Sequence, residues 1–260
     1  MSYKIKYIPK NGFVPLIDKK NMYLKNIQFG VLYLNKSSYS EKNLNLETVL
    51  VILKGKCSVR LKEFKLDSIG EREDVFGGKA YAVYVPPNSD FTVETNEKVE
   101  IAVCKAPSKL KGEPKLITPS EVKLNIVGKD NWQRNVYDIV RDNVNAEKLV
   151  VGETINPSGN WSSYPPHKHD ENSEKEVKME EIYFFKIKPE KGFGFQRLYN
   201  TDRSLDETYT IENNDLVIIP KGYHPVVAAP GYKLYYLWVL AGETRTLKPN
   251  DDPDHTWIKN

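Results

Sequence analysis

Residues 180–199 read EEIYFFKIKPEKGFGFQRLY. Two runs of β-branched and aromatic residues flank the turn-forming Pro-Glu-Lys-Gly, and alternate residues of an extended chain face opposite ways. Glu181, Tyr183 and Phe185 therefore share one side of the first run. The same grammar recurs in ETVLVILKGK (47–56), AYAVYVPPNS (80–89), DLVIIPKG (215–222) and YKLYYLWVLAGE (232–243). Helical periodicity is scarce, and 16 Tyr, 9 Phe and 4 Trp suit half-buried pleated surfaces. The pattern predicts an all-β protein of sandwich or barrel type with few short helices.

The two halves resemble copies of one unit. Glu47 precedes Pro86 by 39 residues, and Glu181 precedes Pro220 by the same 39. VEIAVCKAP (99–107) then takes the place of KLYYLWVLAG (233–242) as a closing strand. A lysine- and proline-rich stretch at 106–128 reads as the connection. Two domains, 1–125 and 126–260, are expected, about 130 residues each being an ordinary domain size. A gapless offset sets Tyr33, Asn35, Glu47 and Asp90 against His167, His169, Glu181 and His224, so the first copy is expected to keep a carboxylate, to lack every imidazole and to serve as scaffold.

Lys+Arg 38 against Asp+Glu 35 leaves a net charge of +3 in 260 residues, too little for a field that tracks nucleic acid. Apolar runs stop well short of the roughly 20 residues a spanning helix needs, which argues against a membrane. The opening MSYKIKYIPK lacks a secretory h-region, so the cytoplasm is the expected compartment. Cys57 and Cys104 lie in strand-like stretches and read as buried thiols.

All four histidines, at 167, 169, 224 and 255, fall in the second half. In SSYPPHKHD (162–170), His167 and His169 stand two apart and converge if the segment is extended. By itself that pair reads more readily as a solvated loop, with Pro165 and Pro166 before it and DENSEKEVK after it. With Glu181 on an apolar strand and His224 directly after PKG, three imidazoles and a carboxylate become available to one divalent cation: Zn, Mn, Fe or Ni. Lys168 should point away, and His255 reads as a surface or packing residue.

This arrangement resembles a cupin, and two copies a bicupin, that is, two tandem double-stranded β-helix (jelly-roll) barrels. It departs from the general pattern in three places. Eleven residues separate His169 from Glu181, Asn214 stands where the second motif's first glycine would be, and His224 follows Gly222 one residue early. The chain is more closely similar to the 5-deoxy-glucuronate isomerase family of myo-inositol catabolism. The resemblance is carried by WSSYPPHKHD (161–170), EEIYFF (180–185), GFGFQRLY (192–199), PKGYHPVVAAPGY (220–232), YYLWVLAG (235–242) and DDPDHTW (251–257). Weaker pieces are LKGKC (53–57), IGEREDVF (69–76) and YAVYVPP (81–87).

The resemblance implies an aldose–ketose isomerase that converts 5-deoxy-D-glucuronate to 5-dehydro-2-deoxy-D-gluconate. It implies a divalent metal on His167, His169, Glu181 and His224, with zinc preferred by analogy to the related ketol-isomerase of pectin-derived uronates. In that relative the glutamate ligand precedes a hydrophobic residue and a tyrosine, which selects Glu181 over Glu180. No base is named by the sequence, and proton and hydride transfer both stay open. Tyr183, Gln196 and Tyr223 are the catalytic candidates, and Arg134 and Arg197 the candidates for the substrate carboxylate. On the strand 193–199 Gln196 and Arg197 face opposite ways, so at most one enters a pocket. The expected partner is a small sugar acid, and strand edges leave room for a homo-oligomer of unspecified number. An Fe(II) bicupin dioxygenase would use the same ligands, and a non-catalytic sugar-binding cupin is the third reading.

Overall fold

The structure, a computed structural model, describes residues 2–259. Regular structure is almost wholly strand, with single 3-10 segments at Asp130–Trp132 and Pro253–Lys259. Among the described residues no helix is long and apolar enough to cross a membrane.

The chain divides into two compact units. One comprises Tyr7–Lys123 and Asp138–Val151; the other takes in the chain up to Lys6, Leu124–Tyr137 and everything from Gly152 onward. This partition differs from a single cut at residue 125 in two places. Lys4–Lys6 pairs with Asp215–Ile219 as an added strand of the C-terminal unit, and residues 138–151 belong to the N-terminal one. No break in composition marks the second of these, because both of its ends fall inside strands, Arg134–Val140 and Leu149–Asn156.

In the N-terminal unit a six-stranded sheet runs in the order Lys115–Ile117, Ala82–Val85, Leu46–Lys54, Lys98–Pro107, Gln28–Asn35, Gly12–Ile17. A four-stranded sheet, Ser38–Glu41, Phe91–Glu94, Cys57–Leu61, Phe64–Ile69, shares its core. The near-continuous apolar run of Leu46–Lys54 follows from its place in mid-sheet, where both faces are covered. Leu50, Ile52, Val83, Ile101, Val59 and Val93 pack together in this core, which leaves an apolar interior with no histidine.

The register corrects the expected carboxylate of this barrel. Thr48 lies opposite Val85, the residue before Pro86, just as Glu181 lies opposite Ile219, the residue before Pro220. Thr48 thus occupies the position of Glu181, and Glu47 that of Glu180. One residue of slip turns a side chain to the other face of the sheet. Glu47 is fully buried there, accepting hydrogen bonds from the backbone N–H groups of Glu147, Lys148 and Leu149, each at 2.7 Å, and from Tyr84 OH at 3.2 Å. It is a structural anchor for the segment 147–149, and the barrel interior carries Thr48, donating to Asn43 Oδ1 at 3.0 Å.

Both cysteines are buried free thiols. Burial pushes the Cys57 thiol up to about 12 and that of Cys104 up as well. At pH 8 a pKa of about 12 leaves on the order of one thiol in 10⁴ ionised, and the thiolate is the reactive form. Native protein treated with iodoacetamide at that pH is expected to gain no carbamidomethyl group by mass spectrometry, and two after denaturation. Labelling of the native chain would contradict the buried placement.

The C-terminal unit repeats the design. Its larger sheet contains, in order, Lys4–Lys6, Asp215–Ile219, Met179–Lys188 and Lys233–Gly242, and a second sheet contains Trp161–Ser162, Val226–Ala228, Phe193–Tyr199 and Asp206–Glu212.

Candidate metal centre

Within Met179–Lys188, Glu181, Tyr183 and Phe185 lie opposite Leu240, Trp238 and Tyr236, and residues directly opposite each other share a face. That face is the interior: Tyr183 stacks on Tyr236 at 4.2 Å and its ring lies 5.8 Å from that of His224. The short strand His167–Lys168 pairs with Asn250–Asp251, and His169 follows it. His224 enters from the PKG turn. Gly222 there has φ +84°, and a Cβ would lie 2.4 Å from the Tyr199 carbonyl oxygen, so no other residue fits without displacing backbone.

These elements bring His169, Glu181 and His224 together as one cluster of ligand atoms, with the His167 ring beside them. His169 Nε2 and His224 Nε2 lie 3.0 and 3.2 Å from the same Glu181 Oε2. The His167 ring centroid is 4.8 Å from that of His224 and 6.4 Å from that of His169. The ligand atoms of His169, Glu181 and His224 fall within 4.8 Å of one another, a spacing that could hold one metal ion. His169 Nδ1 faces Met179 O at 2.9 Å and His224 Nδ1 faces Gly222 O at 3.0 Å. Donation to those carbonyls leaves both Nε2 lone pairs aimed inward, as a metal ligand requires. His224 Nε2 is buried without a hydrogen-bond partner. Two such acceptors converging on one carboxylate oxygen fit a cation between them.

The electrostatics agree. Burial and the neighbouring His224 and His169 push His167 well below its ordinary pKa, which keeps it neutral. For Glu181 burial opposes ionisation, but the hydrogen bond with His169 and the nearness of the His169 and His224 imidazoles outweigh it and hold the carboxyl down at about 2. Burial likewise opposes the charged form of His169, but Glu181 prevails and raises it.

The remaining candidates separate cleanly. Gln196 is fully buried, its Nε2 reaches 3.5 Å toward His224 O, and its Oε1 has no partner. Arg197 faces the other way and forms a fork with Asp206 at 2.7 and 2.6 Å. Arg134 is buried and donates through Nη1 to the carbonyls of Trp132 and Tyr164 at 3.2 and 3.1 Å. Among the described residues it has no carboxylate partner, although its charge is felt by Tyr183, Tyr236 and His167. Tyr183 OH bonds Ser163 Oγ at 2.7 Å, and burial, then Glu181 and Tyr236, raise its pKa well above the usual phenol value. Tyr223 is turned from the imidazoles and packs on Tyr199, ring centroids 5.0 Å apart. Lys168 points away into a carboxylate cluster. His255 lies 3.9 Å from Asp252, on the C-terminal segment.

Sequence reasoning passed over Ser162, Ser163 and Tyr236. Ser162 Oγ and Tyr236 OH are hydrogen-bonded to each other beside the Ser163–Tyr183 pair. Alternation along YKLYYLWVLAG places Tyr236, Trp238 and Leu240 on one face, a usable signal. Nothing in the sequence marks the serines.

Two β-barrel units, one with an apolar interior and one with a histidine–glutamate cluster, define a bicupin with a single candidate metal centre among the described residues. Residues 7–258 match the profile of the KduI/IolB family, and the chain belongs to that family. It is 45% identical over 252 residues to 5-deoxy-glucuronate isomerase of Geobacillus kaustophilus, covering 96% of this chain and 91% of that one. With the Bacillus subtilis (strain 168) protein of the same name it shares 40% over 246 residues, 93% of this chain and 91% of the other. The crystal structure of an IolB-like protein from Salmonella typhimurium superposes with a TM-score of 0.95 at 35% identity, covering 99% of both chains. A mutant of Bacillus subtilis oxalate decarboxylase gives a TM-score of 0.66 at 10% identity over 95% of this chain and 78% of that one, a likeness of fold.

Proposed function

We propose that this chain isomerises 5-deoxy-D-glucuronate to 5-dehydro-2-deoxy-D-gluconate, moving a carbonyl between neighbouring carbons. The family and the relatives' shared name support the reaction. The observation that carries it is a buried guanidinium without a carboxylate partner beside a cluster fit for a cation, because a sugar acid presents a carboxylate at one end and a carbonyl at the other. His167, His169, Glu181 and His224 hold the ion, for which zinc is the preferred identity over Mn, Fe or Ni. A divalent ion in such a site supplies Lewis-acid stabilisation of negative charge building on oxygen.

The chain's own groups do the rest. Arg134 receives the substrate carboxylate, since its Nη1 is committed to carbonyls and its remaining N–H groups are available for charge-assisted bonds. Gln196 Oε1 accepts from a substrate hydroxyl. Tyr183, kept protonated by burial and hydrogen-bonded to Ser163, serves as donor or proton relay and not as a phenolate base. Arg197 and Tyr223 take no part. The interior tyrosines and Phe185 exclude water from the reacting carbons.

Purified chain assayed with 5-deoxy-glucuronate is expected to give the ketose, to contain about one equivalent of divalent metal, and to lose activity with chelator and regain it on metal addition. Consumption of oxygen with an aromatic substrate would favour a dioxygenase instead. Metal-free chain that turns over normally would end the metal reading. Solvent deuterium at C1 of the substrate carbon skeleton would separate proton from hydride transfer.

A further inference from the structure

The long spacing between His169 and Glu181 has a use. Its loop bends back so that Glu176, 1% exposed, accepts from Asp170 N at 3.1 Å, Glu171 N at 2.7 Å and Lys168 Nζ at 2.9 Å. Lys168, facing away from the imidazoles on either side of it, also grips Asp170 Oδ1 at 2.7 Å. Asp170 then spends its second oxygen on another element: Oδ2 accepts the N–H of Gly222 at 2.7 Å. Gly222 in turn offers the carbonyl that orients His224.

One unbroken chain of bonds therefore runs from the segment bearing His167 and His169 to the turn bearing His224. The His224 turn is tied to the barrel strand Phe193–Tyr199, Tyr223 exchanging backbone hydrogen bonds with Tyr199 and Pro225 O accepting from Arg197 N, whereas the histidine pair meets the larger sheet at Met179, whose N–H donates to His169 O at 2.9 Å. The His167–Lys168 strand pairs with the two residues Asn250–Asp251 and belongs to neither barrel sheet. We propose that Asp170, held by Lys168 and Glu176, is a positioning residue that sets the distance between the histidine pair and His224. The inference rests on the metal reading above. It assigns the inserted loop to ligand geometry, through a carboxylate that touches neither metal nor substrate. Outer partners of this kind govern affinity because they restrict where a ligand can sit.

Cobalt(II) provides the test, since its visible absorption reports coordination geometry independently of turnover. Wild-type chain and variants are loaded with cobalt, their spectra recorded and their affinities measured by chelator competition. Asp170→Ala is expected to weaken cobalt binding about ten- to a hundredfold and to change the spectrum. Asp170→Asn keeps an acceptor for the Gly222 N–H and gives up the charge; it is expected to recover most of the loss, staying within about tenfold of wild type. An alanine variant with wild-type spectrum and affinity overturns the proposal, as does an asparagine variant no better than alanine. If the alanine variant does not fold, Asp170→Asn alone decides: a three- to tenfold loss with a shifted spectrum, on the scale of an outer partner, supports the role, and none overturns it. Wild-type chain that takes up no cobalt overturns both this proposal and the metal reading. One that binds cobalt stoichiometrically, yet with native metal fails to isomerise, defeats only the reaction.

Discussion

Replacing Glu181 with glutamine is expected to abolish isomerisation while leaving the fold intact. The amide matches the carboxylate in shape but removes the charge opposite two inward-facing Nε2 atoms at 3.0 and 3.2 Å. Its NH₂ can donate to one of them, His224 Nε2 being without a partner otherwise. The empty site is thereby satisfied and the occupied one weakened. Metal affinity should fall by more than about a hundredfold, beyond the range seen for outer partners, and turnover with it. Wild-type chain should lose thermal stability on chelation, because a ligand that binds only the native state stabilises it by mass action. Glu181→Gln should melt at one temperature with or without chelator. Glu180→Gln, on the other face of the strand, should retain metal and turnover. Metal analysis and thermal melts check both, and a Glu181→Gln chain with full metal content would remove the carboxylate from the ligand set.

The second large effect is at Arg134. Arg134→Met should lower kcat/KM by about a hundred- to a thousandfold, which corresponds to two charge-assisted hydrogen bonds at about 1.5–3 kcal/mol each, partly offset by desolvation. Metal content should not change. Methionine replaces a buried cation that no carboxylate balances, so the melting temperature of the ligand-free chain should hold or rise. The neutral sugar analogue, with hydroxymethyl in place of the carboxylate, should react equally slowly with wild type and variant, because the lost contact has no counterpart there. Arg197→Met should stay within about threefold of wild type, since an exposed ion pair such as its fork with Asp206 contributes little. Equal losses at the two arginines would show the carboxylate is bound elsewhere.

The fold and most of the candidate centre were legible because they rest on local rules. Strand after strand announces itself by β-branched and aromatic runs, and an i, i+2 pair in extended chain has to converge. The same rule assigned Lys168 outward and separated Gln196 from Arg197. Applied to His224, it would also have excluded Tyr223, the adjacent residue, which faces Tyr199. Glu47 shows where spacing misleads: an equal count of 39 residues hides a register offset of one, and only strand pairing reveals that Thr48 is the true counterpart of Glu181.

By itself, then, the amino-acid order determined the β architecture and its duplication, and offered residues 167, 169, 181 and 224 as a candidate set, since alternation and turn chemistry act between near neighbours. Tertiary structure alone decided which arginine is buried without a carboxylate, that Ser162 and Ser163 meet Tyr236 and Tyr183, and that Asp170 reaches Gly222. Those contacts join residues 20 to 74 positions apart across different strands and turns. Their distances depend on how the sheets close around the interior, and no local preference of the chain encodes that closure.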